Sequence, residues 1–235
     1  MNQLLLKELP AQGTAFSVTG GRAVHIRTVL RSKVGDSLKV GLLNGNTGHA
    51  VIRSIEKDQV ILDSFVLEKP APPMLPITLA VALPRPQSLK KVLHFAASAG
   101  IPELVLFQSA RVEKSYWNSS VLQPDNLDSE LFEGLEQGCG TKPPAVSFFR
   151  SFKDFIAASN SDYDNYCKIV AHPVPEHPFS EKPEAEKILL TVGPEGGFLP
   201  SEVAAFQKNG FLKFSCGNHI LRVEFACAYL CGMMV

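Results

Sequence analysis

The chain has 235 residues, of which 45% are hydrophobic and 20% are charged. This composition is ordinary for a globular protein with a buried core and excludes a collagen-like, coiled-coil or largely disordered chain. No apolar run approaches the roughly 18 residues that span a bilayer, and residues 1–10 lack the basic start and apolar core of a signal peptide. We therefore expect a cytoplasmic protein. Five cysteines without a Cys-x-x-Cys pair argue against a disulfide framework or a zinc site.

The formal net charge is zero, but the charges are unevenly distributed. Residues 1–69 carry 9 Lys and Arg against 6 Asp and Glu. Between residues 20 and 53 a single acid, Asp36, stands among the basic residues Arg22, Arg27, Arg31, Lys33, Lys39 and Arg53. Such a local excess either attracts phosphate groups or is a solvated charged surface, and charge alone leaves both interpretations open.

The first part of the chain has the pattern of a small β-domain. A short helix over residues 22–30 is followed by segments that alternate apolar and polar side chains, with Asn44-Gly45 as a turn. The predicted strands are residues 37–43, 50–55 and 59–66. They favour a small β-barrel-like domain at residues 1–69. Four prolines in residues 70–76 then predict an extended linker.

Residues 77–235 alternate between strand and helix. The predicted strands are residues 77–83, 103–108, 166–172, 187–192 and 211–215. The predicted helices are residues 88–99, 127–137, 201–209 and 223–234. Repeated strand–helix units indicate an α/β fold with a mostly parallel sheet covered on both faces. In such sheets ligands bind at the carboxyl ends of the strands.

The predicted strand at residues 187–192 leads directly into Gly193-Pro194-Glu195-Gly196-Gly197. Three glycines in five residues allow positive φ angles and a close approach of the backbone to a ligand, although a tight turn without a ligand is an equally simple interpretation. The chain has no nucleoside-triphosphate loop and no dinucleotide motif after its first strand. Pro200, Glu202 and Gly210 suit the start, the third position and the end of the next helix.

A second glycine-bearing segment follows another predicted strand and opens the last helix. Its sequence is Cys216-Gly217-Asn218-His219-Ile220-Leu221-Arg222-Val223-Glu224. Two such loops at neighbouring strand ends predict a pocket for a planar ring. Arg222 and Glu224 stand among apolar residues, where charges are usually functional or paired, and a plain Arg222–Glu224 ion pair is the alternative.

These motifs resemble the RsmE-type 16S rRNA uridine-N3 methyltransferases of the SPOUT superfamily. The family has a Gly-Pro-Glu-Gly-Gly loop followed by Leu-Gly-x-Arg-Ile-Leu-Arg-x-Glu-x-Ala, which correspond here to residues 193–197 and 216–226. Residues 25–36 and Asn44-Gly45 also resemble the PUA-like RNA-binding domain of the family. The resemblance implies a PUA-like domain at residues 1–69 and a SPOUT methyltransferase domain with a deep trefoil knot at residues 77–235. It also implies S-adenosylmethionine as cofactor, 16S rRNA or the small ribosomal subunit as partner, and a homodimer formed through the knot.

The resemblance also assigns site residues. The cofactor would be held by Leu83, Thr191, Val192, Gly193, Pro194, Glu195, Gly196, Gly197, Cys216, Gly217, Asn218, Ile220 and Leu221. Catalysis would involve Arg222, with Glu224 orienting it or acting as base. His219 is a further candidate base, because an imidazole titrates close to neutral pH. RNA would be bound by Arg22, His25, Arg27, Arg31, Lys33 and Arg111.

Several positions depart from the family pattern. His219 and Cys216 replace an Arg and a Leu, and Phe95, Ser98 and Gly140 lie where the family has charged residues. An RNA-binding protein without catalysis, or a SPOUT methyltransferase with another RNA target, are therefore alternatives. We expect no metal site, because the prolines around His172, Glu176 and His177 predict a stiff surface loop.

Overall fold

The computed structural model describes residues 1–11, 14–173 and 181–235. The chain divides into two compact units. The first unit contains Met1–Pro73 and Phe132–Pro143, and the second contains Met74–Leu131 and Pro144–Val235. Within the described ranges, no helix is long and apolar enough to cross a membrane. Glu176 and His177, from the proline-rich segment, lie outside the described residues.

The described part of the first unit forms a curled five-stranded sheet with one complete helix and the end of a second. Its elements are β1 (Leu4–Leu6), β2 (Phe16–Thr19), α1 (Gly20–Thr28), β3 (Ser37–Leu42), β4 (Thr47–Ile55) and β5 (Gln59–Lys69). The strand order is β1-β3-β4-β5-β2, with β1 parallel to β3 and the other pairs antiparallel. Alternating side chains such as Val40, Ile52 and Leu62 are fully buried, so one face of the sheet forms a core of its own.

Residues 132–143 complete the first unit. The backbone carbonyl of Glu136 accepts hydrogen bonds from the amides of Asn2 and Gln3, and its side chain accepts one from the amide of Leu5 at 3.0 Å. Thr141 donates its hydroxyl hydrogen bond to the carbonyl of Gly45 at 2.8 Å. The bonds of Glu136 hold β1 in place, although β1 is only three residues long, and the bond of Thr141 holds the turn after β3.

The described part of the second unit forms a parallel six-stranded sheet in the order β11-β9-β10-β6-β7-β8. The strands are β6 (Ile77–Ala82), β7 (Glu103–Phe107), β8 (Ala145–Phe149), β9 (Cys167–Ala171), β10 (Ile188–Val192) and β11 (Leu212–Phe214). The helices are α2 (Pro86–Ala99), α3 (Pro124–Gly138), α4 (Phe152–Ser161), α5 (Pro200–Lys208) and α6 (Val223–Met234), and the division between the units falls inside α3. All residues of β6 and β10 are buried, as expected for central parallel strands covered on both faces.

The structure confirms a mixed α/β protein, and the predicted strands and helices agree with it to within a few residues. The sequence patterns did not predict β1, β2, β8 or α4. Strands β1 and β2 are too short to show an alternating pattern, and β8 contributes mostly half-exposed side chains. Helix α4 is amphipathic and begins after Ser151, whose hydroxyl accepts a hydrogen bond from the amide of Asp154.

An aromatic cluster fills the second unit beneath the strand ends. The rings of Phe107 and Phe155 stack with centroids 4.1 Å apart, and Phe206 lies 6.3 Å from Phe155 and 5.0 Å from Phe198. Phe198 is buried and directly follows the glycine-rich segment at residues 193–197. The aromatic core therefore anchors the end of that segment.

Candidate functional site

A cavity of about 310 Å³ opens where the chain leaves β10 and β11. Pockets of this size accept small-molecule ligands. Most of its lining comes from the end of β10 and the two predicted glycine-bearing loops: Val192, Gly193, Pro194, Glu195, Gly196, Gly197, Cys216, Gly217, His219, Ile220 and Leu221. Arg111, His172 and Ser215 also contribute, together with apolar residues of α6. The structure thus brings together the two segments that the sequence motifs singled out. Their strands, β10 and β11, are not the neighbours that the sequence predicted, because β9 lies between them.

The glycine loop (residues 193–197) has one position where the backbone conformation favours glycine and two where a Cβ would crowd a neighbouring side chain. Gly197 has a φ of +67°, and its amide donates to the carbonyl of Pro194 at 2.8 Å, which closes a tight turn. A Cβ on Gly193 would lie 3.3 Å from the ring of Phe198, and one on Gly196 would lie 3.0 Å from Cδ of Arg111. The loop therefore presents bare backbone to the cavity.

The second loop (residues 216–221) forms the opposite wall. Gly217 has a φ of +131°, again a conformation that favours glycine. Burial raises the pKa of the Cys216 thiol, so this side chain lines the cavity as a neutral group. Ile220 is 91% exposed and Leu221 38% exposed, which leaves an apolar rim at the cavity mouth.

The side chain of Glu195 connects the glycine loop to another segment of the second unit. Its Oε1 accepts a hydrogen bond from the amide of Arg85 at 3.0 Å, at the start of α2. A hydrogen bond from Arg85 to the Tyr116 hydroxyl, and then the charges of Tyr116 and Glu195, raise the pKa of Arg85. The carboxylate of Glu195 therefore ties the glycine loop to the loop that follows β6.

Arg222 and Glu224 lie in different environments and do not form the ion pair that was the alternative interpretation. Arg222 is exposed at the N-terminal boundary of α6. Glu224 is buried, and its Oε1 accepts a hydrogen bond from Nζ of Lys91 at 2.9 Å. Burial by itself raises the pKa of Glu224, but the hydrogen bonds from Lys91, the backbone and Ser88 lower it below its usual value. An ionised carboxylate of lowered pKa is a weak base.

Three predicted cofactor residues lie outside the cavity lining. Leu83 and Thr191 are fully buried in the core, and Asn218 is exposed on the second loop. The Oγ1 atom of Thr191 is buried without a hydrogen-bond partner among the described residues. Thr191 directly precedes Val192 in β10, so this free hydroxyl lies one residue from the cavity wall.

The predicted RNA-binding residues divide into two groups. Arg22 forms an internal ion pair, because its Nη2 donates to Oε1 of Glu136 at 2.6 Å and to the carbonyl of Leu5 at 2.5 Å. Arg111 in the second unit lines the cavity and donates from Nη1 to the carbonyl of Gly196. The others are at least partly exposed on or just after α1: His25, Arg27, Arg31 and Lys33. Arg22 and Arg111 thus stabilise their own units, Arg22 through its ion pair with Glu136 and Arg111 through its bond to the glycine loop.

The cavity also contains residues that the motifs did not assign. His172 lines it from the end of β9, and burial, followed by the charge of Lys213, lowers the pKa of this imidazole, which favours its neutral form. The remaining unassigned lining residues are Ala171, Pro173, Phe198, Phe214, Ser215, Val223, Ala226 and Leu230. Several of these residues follow predicted strands, and that position could have indicated a place at the site. The sequence does not show, however, that β9 lies beside β10 in the sheet.

Comparisons with known families agree with this geometry. A family described as RNA methyltransferase domain matches residues 71–235, and one described as RNA methyltransferase PUA domain matches residues 18–63. The chain is similar to the ribosomal RNA small subunit methyltransferase E of Treponema pallidum (strain Nichols), with 26% identity over 94% of this chain and 84% of that protein. It is 24% identical to the Bacillus subtilis (strain 168) protein of the same name, over 96% and 91% of the two chains.

Solved structures show the same fold. A Legionella pneumophila protein in complex with bound SAM superposes with a TM-score of 0.73 at 19% identity, covering 98% of this chain and 95% of that one. The ribosomal RNA small subunit methyltransferase E of Neisseria gonorrhoeae, bound to S-adenosyl methionine, gives a TM-score of 0.70 at 18% identity. That alignment covers 99% and 95% of the two chains. The likeness of fold therefore extends over nearly the full length of both structures.

Proposed function

Because the chain belongs to the RNA methyltransferase domain family, we propose that it transfers a methyl group from S-adenosylmethionine to N3 of a uridine in 16S ribosomal RNA. The observation that carries this proposal is the cavity built from two glycine-bearing loops, which follow β10 and β11 on either side of β9. The names of the relatives support ribosomal RNA of the small subunit as the substrate. We propose a cytoplasmic location, because the ribosomal substrate of such an enzyme is found there.

The residues present fit S-adenosylmethionine. The glycine loop exposes backbone groups that bind a polar ligand, and the walls from Val192, Leu221 and Leu230 are apolar, as an adenine ring requires. We propose that residues 192–197 and 216–221 hold the cofactor, with Thr191 offering its free hydroxyl behind them. When bound, S-adenosylmethionine supplies an electrophilic methyl group.

The acceptor imposes further requirements on this chain. N3 of uridine carries a proton and lies on the Watson–Crick edge, so the base must be unpaired when it enters the site. We propose that Arg222 neutralises the negative charge that develops on the uracil carbonyls. His219 lines the cavity and is the candidate to accept the N3 proton. Glu224 is held by Lys91, and its role is to fix the first turn of α6 next to Arg222.

The first unit supplies the RNA-binding surface in this proposal. Arg27, Arg31 and Lys33 are exposed or partly exposed, and they lie within the residues that match the PUA domain. Cations of this kind bind phosphate without base specificity. We propose that residues 1–69 are the PUA-like RNA-binding domain and residues 77–235 the SPOUT domain, joined by residues 70–76.

We further propose a trefoil knot at the C-terminus and a homodimer formed through it. The chain runs from β11 at the sheet edge to α6, which contacts β10, β6 and α2, so it crosses back past β9 beside the glycine loop. This path is compatible with a knot in which the C-terminal segment passes through a loop formed by earlier residues. Exposed apolar side chains on and before α6, namely Ile220, Phe225 and Tyr229, support a second subunit as their cover.

The decisive experiments are a binding measurement and a modification map. Calorimetry should detect S-adenosylmethionine binding to the purified protein. Mass spectrometry of ribosomal RNA from a deletion strain should show the loss of one N3-methyluridine. A protein that binds RNA but not S-adenosylmethionine would support the non-catalytic alternative, and loss of a different mark would refute the N3 assignment.

A further inference from the structure

Glu202, in the first turn of α5, has a buried carboxylate that bonds to two separate segments. The residue is 6% exposed. Oε2 accepts a hydrogen bond from the amide of Leu199 at 2.8 Å, which caps α5. Oε1 accepts one from the amide of Ala110 at 2.7 Å, in the loop that follows β7. Capping needs only the bond from Leu199. The bond from Ala110 is additional and links the start of α5 to a segment more than 90 residues earlier in the chain.

The residue after Ala110 extends this link to the glycine loop. The Arg111 side chain packs against Gly196, so that a Cβ there would lie 3.0 Å from Cδ of Arg111. Its Nη1 also donates to the carbonyl of Gly196. A continuous path of contacts therefore runs from the Glu202 carboxylate through the Ala110 amide and the Arg111 side chain to Gly196.

The glycine loop needs such external support. Glycines lose more conformational entropy on ordering than other residues, so a loop with three of them is not rigid by itself. A loop that is already ordered binds a ligand more tightly, because no conformational entropy is lost in ordering it when the ligand binds. On its other side, the loop is held by Glu195 through the amide of Arg85.

We propose that Glu202 is a positioning residue for the cofactor-binding loop, acting through Ala110 and Arg111 on Gly196. The effect on cofactor affinity rests on the proposed S-adenosylmethionine function. The effect on loop order does not depend on it. Only a carboxylate offers the two acceptor oxygens that the amides of Ala110 and Leu199 require.

The test is Glu202→Gln, which preserves the shape of the side chain but retains one acceptor oxygen. We expect the dissociation constant for S-adenosylmethionine, measured by calorimetry, to rise about tenfold. Hydrogen exchange in peptides covering residues 193–198 should become faster in the absence of ligand. The KM for S-adenosylmethionine should rise while kcat at saturation stays close to that of the wild type.

Ser151→Ala provides the matched control. It removes the local capping bond from the amide of Asp154 at the start of α4 and leaves in place the aromatic contacts through which α4 packs towards Phe198. This variant should lower Tm and leave cofactor affinity and loop exchange unchanged. If Glu202→Gln behaves in the same way, Glu202 is a capping residue only and the proposal is refuted.

Arg111→Met tests the same path independently and leaves the Glu202 cap intact. It should loosen the loop and weaken S-adenosylmethionine binding. The Glu202→Gln/Arg111→Met double variant should bind S-adenosylmethionine as tightly as Arg111→Met alone, because both changes interrupt the same path. Additive losses would refute the path through Arg111. If the wild type does not bind S-adenosylmethionine, the proposed function fails, whereas the exchange rates still decide whether Glu202 orders the loop.

Discussion

At the scale of single residues, two charges that are close in sequence have different roles. Arg222 is exposed, whereas Glu224 is buried against Lys91. The reason is geometric: Arg222 precedes α6, and Glu224 lies in its first turn, on a side that packs towards α2. Both charges stand among apolar residues in the sequence, but Arg222 is a candidate for catalysis whereas Glu224 is one half of a structural ion pair.

Replacing Arg222 with Ala should lower kcat about 100-fold, because a missing donor to a developing anion typically has an effect of this size. The dissociation constant of S-adenosylmethionine should not change, since Arg222 is not among the residues that line the cavity. Single-turnover kinetics and calorimetry measure the two quantities. Arg222→Lys should retain part of the rate, and an Arg222→Ala enzyme with normal turnover would remove this residue from the mechanism.

Replacing Lys91 with Met should reduce the free energy of unfolding by about 1–2 kcal/mol at neutral pH, because the buried Glu224 carboxylate loses its partner. The pKa of Glu224 is lowered in the folded wild type, so its contribution to stability is present above the usual pKa near 4.5 and is lost as the pH falls through the lowered value. The difference between the two proteins should therefore shrink on acidification.

Denaturant unfolding across this pH range measures the Lys91 effect. Lys153→Met, which removes an exposed cation from α4, is the control and should leave stability almost unchanged at every pH. An equal loss in both variants would mean that the pair with Glu224 does not stabilise the fold.

At the scale of secondary-structure elements, close backbone approach decides where glycine is required. Gly48 lies in β4, where the pairing with β5 is irregular, and a Cβ there would lie 1.8 Å from the carbonyl oxygen of Val66. Gly21 lies in α1 with open space around it. The two glycines look alike in the sequence, and only the neighbouring strand distinguishes them.

Gly48→Ala should destabilise the protein by about 3 kcal/mol or more, because the overlap is with backbone that cannot move without breaking the sheet. Gly21→Ala should be neutral or stabilising by about 0.5–1 kcal/mol, since alanine favours a helix. Thermal unfolding followed by circular dichroism compares the two variants. Equal Tm values would contradict the strand geometry of the first unit.

At the scale of the whole molecule, a net charge of zero conceals an uneven distribution of charge. The basic excess belongs to residues 1–69, and the cavity belongs to the second unit. In the proposed function the second unit binds a small molecule and the first unit binds phosphate, and this division does not require a high overall charge. Variants in the first unit should therefore change RNA binding, and variants around the cavity should change cofactor binding and methyl transfer.

Changing Arg27, Arg31 and Lys33 together to Ala should weaken RNA binding at low salt. The slope of log K against log salt should fall by about 0.7–0.9 for each phosphate that the protein no longer neutralises, because fewer counterions are released. Filter binding at several salt concentrations measures the slope, and S-adenosylmethionine affinity should be unchanged. A slope equal to that of the wild type would locate the RNA surface elsewhere.

Local sequence was sufficient wherever a short-range rule decides the structure. Helix α6 agrees with its predicted bounds, the helix at Pro200 begins as its proline and Glu202 indicate, and the two glycine-bearing segments do line one cavity. These features depend on residues within a few positions of each other. The family resemblance added the chemistry, which composition and periodicity could not supply.

Only the tertiary structure decided the rest, because it depends on pairing between distant parts of the chain. Residues 132–143 join the first unit through hydrogen bonds of Glu136 to Leu5 and Arg22. Glu202 reaches Ala110, and Glu224 pairs with Lys91 instead of Arg222. A buried carboxylate is bonded by whichever donors the fold places beside it, and no local pattern identifies donors that are about 90 to 130 residues away.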